Sequence, residues 1–93
     1  MNLRLYRDPE TGEPHIHRHD VEQAEVEEVL GNVLEDRPGA EGARVAVGQT
    51  QAGRYLRVIY VPDPMPGSVF VITACELGPK ALWALRRRRR RKR

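Results

Sequence analysis

Several side chains in this 93-residue sequence could do chemistry. The plainest is a block of cations at 86–93, reading Arg-Arg-Arg-Arg-Arg-Arg-Lys-Arg. Uninterrupted positive charge draws a polyanion or an acidic partner surface. Arg54 and Arg57 are each set among apolar residues of one run. Such an arginine either lies on an open sheet face, where it meets an anion, or is paired across strands. Tyr60 closes that run. It acts as an acid or base only where cations lower its ordinary pKa of ~10. His15, His17 and His19 align as metal ligands on a strand, whereas on a helix only His15 and His19 share a face. Pro14 before them and a helical pattern after them suit neither geometry, so no metal and no cofactor is expected. Cys75 is the only cysteine, which excludes an internal disulfide and a cysteine-based zinc site; its place in an apolar run suits a buried small hydrophobe.

The charge balance sharpens the first signal. The chain carries 16 Lys+Arg against 13 Asp+Glu, net +3. Taking away the eight cations of 86–93 leaves 8 basic against 13 acidic residues over 1–85, a net of −5. An acidic domain, 1–85, therefore precedes a +8 tail, 86–93. The hydrophobic share, 40%, supports one small core and argues against wholesale disorder. No stretch reaches the ~20 apolar residues of a membrane span, and no signal-peptide core follows Met1. A cytoplasmic protein is expected, with no membrane partner. So small a core would gain from a homodimer contact.

The elements that must position these residues follow from periodicity. Asn2 to Arg7 alternates as a short strand, and the turn formers of 8–14 end it. Val21, Ala24, Val26, Val29, Leu30, Val33 and Leu34 make a helical stripe. Asp20 and Gln23 suit a capping box at its start, and either Gly31-Asn32 or Arg37-Pro38-Gly39 ends it. Residues 44–49, 54–61 and 68–75 are β-rich runs joined by short turns, hence an antiparallel meander. Pro79 suits the first position of a final helix, which the arginines extend for a turn or two before like charges fray it. The expectation is an α+β domain in the order β-α-β-β-β-α: a four-stranded antiparallel sheet, helix packed on one face, and a basic C-terminal helix extension.

Two stretches carry a family likeness. His19-Asp20-Val21-Glu22-Gln23-Ala24-Glu25-Val26-Glu27-Glu28-Val29-Leu30 resembles the helix start of the BrnT toxin family and its uncharacterised relatives. Val47-Gly48-Gln49-Thr50, Gly53-Arg54-Tyr55-Leu56-Arg57-Val58-Ile59-Tyr60 and Val71-Ile72-Thr73-Ala74 resemble its strands, in the same order. The resemblance covers about residues 15–80 and implies the RelE-type small ribonuclease fold. It also implies an RNA-cleaving toxin-antitoxin protein masked by a small DNA-binding antitoxin. Where those toxins commonly carry an arginine after the last strand motif, this chain has Cys75.

Metal-independent RNA cleavage needs a group to activate the 2′-OH, a group to protonate the leaving oxygen, and cations to offset phosphorane charge. On that scheme Arg57 by position and Arg54 by resemblance are the phosphate ligands. Tyr60, Lys80 and His19 are the acid–base candidates, and Arg86, Arg87, Arg88, Arg89 and Arg90 hold RNA. The alternative is a non-catalytic module of the same fold that docks on RNA, ribosome or protein through the tail. No aromatic residues interleave the tail, so no base readout is expected from it.

Overall fold

The computed structural model describes residues 2–91. In chain order these form β1 (Asn2–Leu5), a 3₁₀ turn (His15–His19), α1 (Gln23–Gly31), β2 (Val33–Pro38), β3 (Arg44–Gln49), β4 (Tyr55–Pro62), β5 (Ser68–Glu76) and α2 (Pro79–Arg91). The class is α+β, with the meander β3-β4-β5 at its centre. The sheet has five strands rather than four, in the order β1-β5-β4-β3-β2, and it is mixed. β1 pairs with β5 in parallel, Asn2 opposite Ser68 and Leu5 opposite Val71; the other pairs are antiparallel.

The extra strand comes from residues whose spacing continued the helical stripe. Val33 and Leu34 fit the α1 period, but Asn32 leaves helical geometry at φ −149°, ψ 66°. The chain beyond it pairs with β3, Asp36 opposite Ala46 and Arg37 opposite Val45. The start of α1 also differs from expectation. Asp20 is left-handed, φ 57°, where it closes the 3₁₀ turn, so the helix begins later. Its N-cap is Glu22, whose backbone N–H donates to the Glu25 carboxylate at 3.0 Å. That replaces the expected Asp20–Gln23 pair with one two residues on.

Strand register sorts the side chains into two faces. On one, Ile16 of the 3₁₀ turn, Val21 of the link after it, and Val26 and Val29 of α1 pack over Ala46, Leu56, Val58, Val71 and Ala74, forming the main core. Gly48 is what lets α1 sit so low. A Cβ there would meet Val29 Cγ1 at 3.0 Å and the backbone oxygens of Val29 and Asn32 at 3.3 Å. On the other face, Glu35, Val47, Arg57 and Cys75 are successive cross-strand partners.

α2 lies on that second face, so the two helices flank the sheet instead of sharing one side. Arg88 donates two hydrogen bonds to Glu35, both 2.9 Å, and the Arg86 guanidinium sits 5.8 Å from the Tyr55 ring centre. Leu85, one turn before Arg88, is the fully buried anchor of the helix. The basic run is helical as far as Arg91, the turn or two expected of it. The partners of Arg86 and Arg88, the Arg89 bond to the Leu34 carbonyl at 3.3 Å and the negative end of the helix dipole each offset the repulsion of like charges. Lys92 and Arg93 of the expected tail lie outside the described residues. Among the described residues, no helix is long and apolar enough to cross a membrane.

Candidate nucleic-acid interface

The five candidate catalytic residues occupy separate places. Arg54 immediately precedes β4, on the α1 side. Its Nη1 donates to both Glu25 oxygens, at 2.9 and 2.8 Å, and to the Asp20 carbonyl at 2.9 Å, while Nη2 reaches Glu76 at 3.3 Å. The Glu25 carboxyl is held below its ordinary range first by the Glu22 N–H and then by Arg54. Arg54 thus takes the paired alternative: it fastens α1 to the end of the sheet.

Tyr60 faces the same side six residues further along, roughly 20 Å away at ~3.3 Å per residue. Its hydroxyl donates to Asp36 Oδ2 at 2.5 Å, and Asp36 also accepts from Arg44 Nε at 2.7 Å. Burial, and then the Asp36 carboxylate, push the Tyr60 phenol above its ordinary range. A general base would need the opposite direction.

His19 is exposed, its ring edge-on to His15 with centres 5.4 Å apart. His15 Nδ1 lies 2.9 Å from Asp8 Oδ1, and Arg18 Nε pairs with Asp8 Oδ2 at 2.8 Å. These contacts, the His15 hydrogen bond foremost, hold the Asp8 carboxyl below its usual range. Among the described residues, no three His, Cys, Asp or Glu side chains come together as a metal-ligand set. Lys80 is exposed in the first turn of α2. Arg57 stands alone of the five on the second sheet face, half-buried between Val47 and Cys75.

A different constellation forms around α2. Tyr55, Trp83, Arg86, Arg89 and Arg90 line an open groove of about 560 Å³. Trp83 is 58% exposed, far more than an indole needs for packing, and Arg87 sits 5.3 Å from its ring centre. Trp83, Arg86 and Arg90 share a helix face at spacings of three and four residues, and that face borders Tyr55 at the start of β4. Aromatic rings and guanidinium groups thereby alternate along one surface. The periodicity of α2 aligns Trp83 with two arginines; Tyr55 joins them only through the fold, which is why the tail alone offers no aromatic interleaving.

The five tail arginines are not equivalent. Arg88 is committed to Glu35 and Arg89 to the Leu34 carbonyl. Arg86 and Arg87 make ring contacts, and Arg90 lines the groove. Arg4, Arg18, Arg37, Arg44 and Arg54 each have a carboxylate within ion-pair distance, at Asp63, Asp8, Glu35, Asp36 and Glu25 respectively. Guanidinium charge without an acid partner is therefore concentrated on the second face and α2, among the described residues. No family model, curated protein or solved structure matches this chain.

Proposed function

We propose that this protein binds single-stranded RNA in the α2 groove, as a non-catalytic RNA-directed module related in design to BrnT-like toxins. The observation that carries the reading is the union of Tyr55, Trp83, Arg86, Arg89 and Arg90 in one open groove. Non-specific single-strand binding combines a cationic track for the backbone with aromatic faces for the bases, and this groove has both. Among the described residues, the groove lining contains no constellation of acid and base, and the candidate catalytic groups are spread over two faces.

Anisotropy of a short labelled single-stranded RNA, titrated at low and moderate salt, tests the proposal. Trp83→Ala is expected to weaken binding by ~5–150-fold, the equivalent of about 1–3 kcal/mol per stacked base. Binding unchanged in that variant would refute the groove. Equal affinity for single-stranded DNA would widen the ligand class to single strands in general.

One observation favours the ribonuclease reading: Arg57 shares the groove's face and its strand with Tyr55. RNA cleavage by the wild type that is lost in Arg57→Gln, yet kept in Arg54→Gln and Tyr60→Phe, would establish it. Intact RNA in all four leaves the binding module.

A further inference from the structure

We infer that the α2 groove also seats a free nucleoside polyphosphate, its base on Tyr55 and Trp83 and its phosphates on Arg86, Arg89 and Arg90. The inference rests on the RNA reading only in placing both ligands in one groove. Four of the five lining residues come from a single stretch of α2, 83 to 90, about 10 Å of helix at ~1.5 Å per residue. The volume, about 560 Å³, falls within the roughly 300–1,000 Å³ of sites that take one small ligand. An RNA strand must run on beyond so short a groove, whereas a single nucleotide is contained by it.

The charge of the lining selects the number of phosphates. Arg86, Arg89 and Arg90 lie within about 6 Å of helix axis, and no carboxylate is among the lining residues. A helical strand presents one charge per ~3.4 Å, so about two phosphodiester charges would face three guanidiniums. One terminal phosphate carries about −1.5 to −2, again less than three. Two or three linked phosphates close the balance, and guanidinium forks suit their oxygens. Arg89 spends Nη1 on the Leu34 carbonyl at 3.3 Å, which leaves Nε and Nη2 as donors. Trp83 is 58% exposed, so much of its ring is open to a base, and Tyr55, half-buried at the start of β4, is the fixed side. Stacking on such rings tolerates any base, so the ligand class is nucleoside di- and triphosphates rather than one nucleotide. Free nucleotide and RNA then exclude one another, and release of RNA follows the nucleotide concentration.

Trp83 is the only tryptophan of the chain, so its fluorescence reports on the groove alone. The full chain is titrated with ATP, adenosine and inorganic tripolyphosphate in the absence of divalent cations, with calorimetry giving the affinities. ATP is expected to quench Trp83 and to bind about 5–150-fold tighter than tripolyphosphate, the share of one stacked base. Adenosine should bind more weakly than either. Trp83→Ala should bring ATP down to the affinity of tripolyphosphate and leave tripolyphosphate unchanged, while Arg90→Gln should weaken both. Circular dichroism melts establish that each variant is folded, and the comparison of three ligands on the wild type decides without any variant. Equal affinity for ATP and tripolyphosphate overturns the inference, and so does ATP binding unchanged in folded Trp83→Ala. Labelled RNA that binds but is not displaced by saturating ATP overturns it too and leaves the RNA reading intact. ATP bound as expected by a chain that ignores RNA supports the nucleotide seat and refutes the RNA reading alone.

Discussion

Two arginines two positions apart in a run of identical residues should fail in different ways. Arg88 makes a two-point bond to Glu35, whose side chain is only 13% exposed, while Arg88 itself is 42% exposed. Exposed ion pairs contribute about 0.2–1 kcal/mol, and breaking a buried pair costs about 3–5 kcal/mol. This pair lies between, and its solvent-facing half discounts it to roughly 1–2 kcal/mol. In a chain of this size each kcal/mol shifts Tm by roughly 4–8 °C, so Arg88→Ala should lower Tm by roughly 4–16 °C. Arg90 makes no such bond; it lines the groove. Arg90→Ala should leave Tm within roughly 4 °C, since surface changes rarely exceed about 0.5 kcal/mol. It should instead remove about 0.7 from the slope of log affinity for single-stranded RNA against log salt, the share of one phosphate contact. Thermal melts followed by circular dichroism, and anisotropy titrations across a fourfold range of salt, give both readings for each variant. If the two variants prove interchangeable in both assays, the arginines act as an undifferentiated tail and the assignment of α2 positions is refuted.

Other outcomes follow from the core face. Gly48→Ala places a methyl 3.0 Å from Val29 Cγ1 and 3.3 Å from two backbone oxygens, so a loss of about 1–3 kcal/mol is expected in urea unfolding. Arg54→Met should lower Tm while leaving the salt slope of RNA binding unchanged, because its charge is spent on Glu25 and Glu76; a lost phosphate contact in that variant would return Arg54 to the interface. Asp8, Glu25 and Asp63 all have carboxyls held below their ordinary values, 3.8, 4.5 and 3.8. Below those values the unfolded chain binds more protons than the folded one, so stability present near neutrality should decline as pH falls beneath about 4.5 and through the folded values. Asp8→Asn should flatten that decline in acid melts, since it removes one of the three groups.

The β meander and α2 were legible because strand alternation and turn residues are local signals. Gly53, at φ 99°, closes the first hairpin where Gln51-Ala52-Gly53 placed it. β2 was hidden because Val33 and Leu34 satisfy the helical period as well as a strand, and only Asn32 decides between them. The direction of β1 was not legible either, since its partner β5 lies at the other end of the chain. The same non-locality separates Arg54 from Arg57. Both sit in one apolar run, yet Glu25 and Glu76 reach only the first, and strand parity turns the second to the far face. Tyr55 and Trp83 carry no pattern that joins them until β4 and α2 are packed.

The clasp between α2 and β2 has a property that follows from the repeated residue around it. Arg88 is one member of a homopolymer, flanked on each side by further arginines. Gain or loss of a single arginine within the repeat would still leave an arginine three residues after Leu85, in register with Glu35. Repeat length is thereby uncoupled from docking. A change in the number of arginines lengthens or shortens the cationic end, and so tunes its grip on a polyanion, without unfastening the helix that bears it.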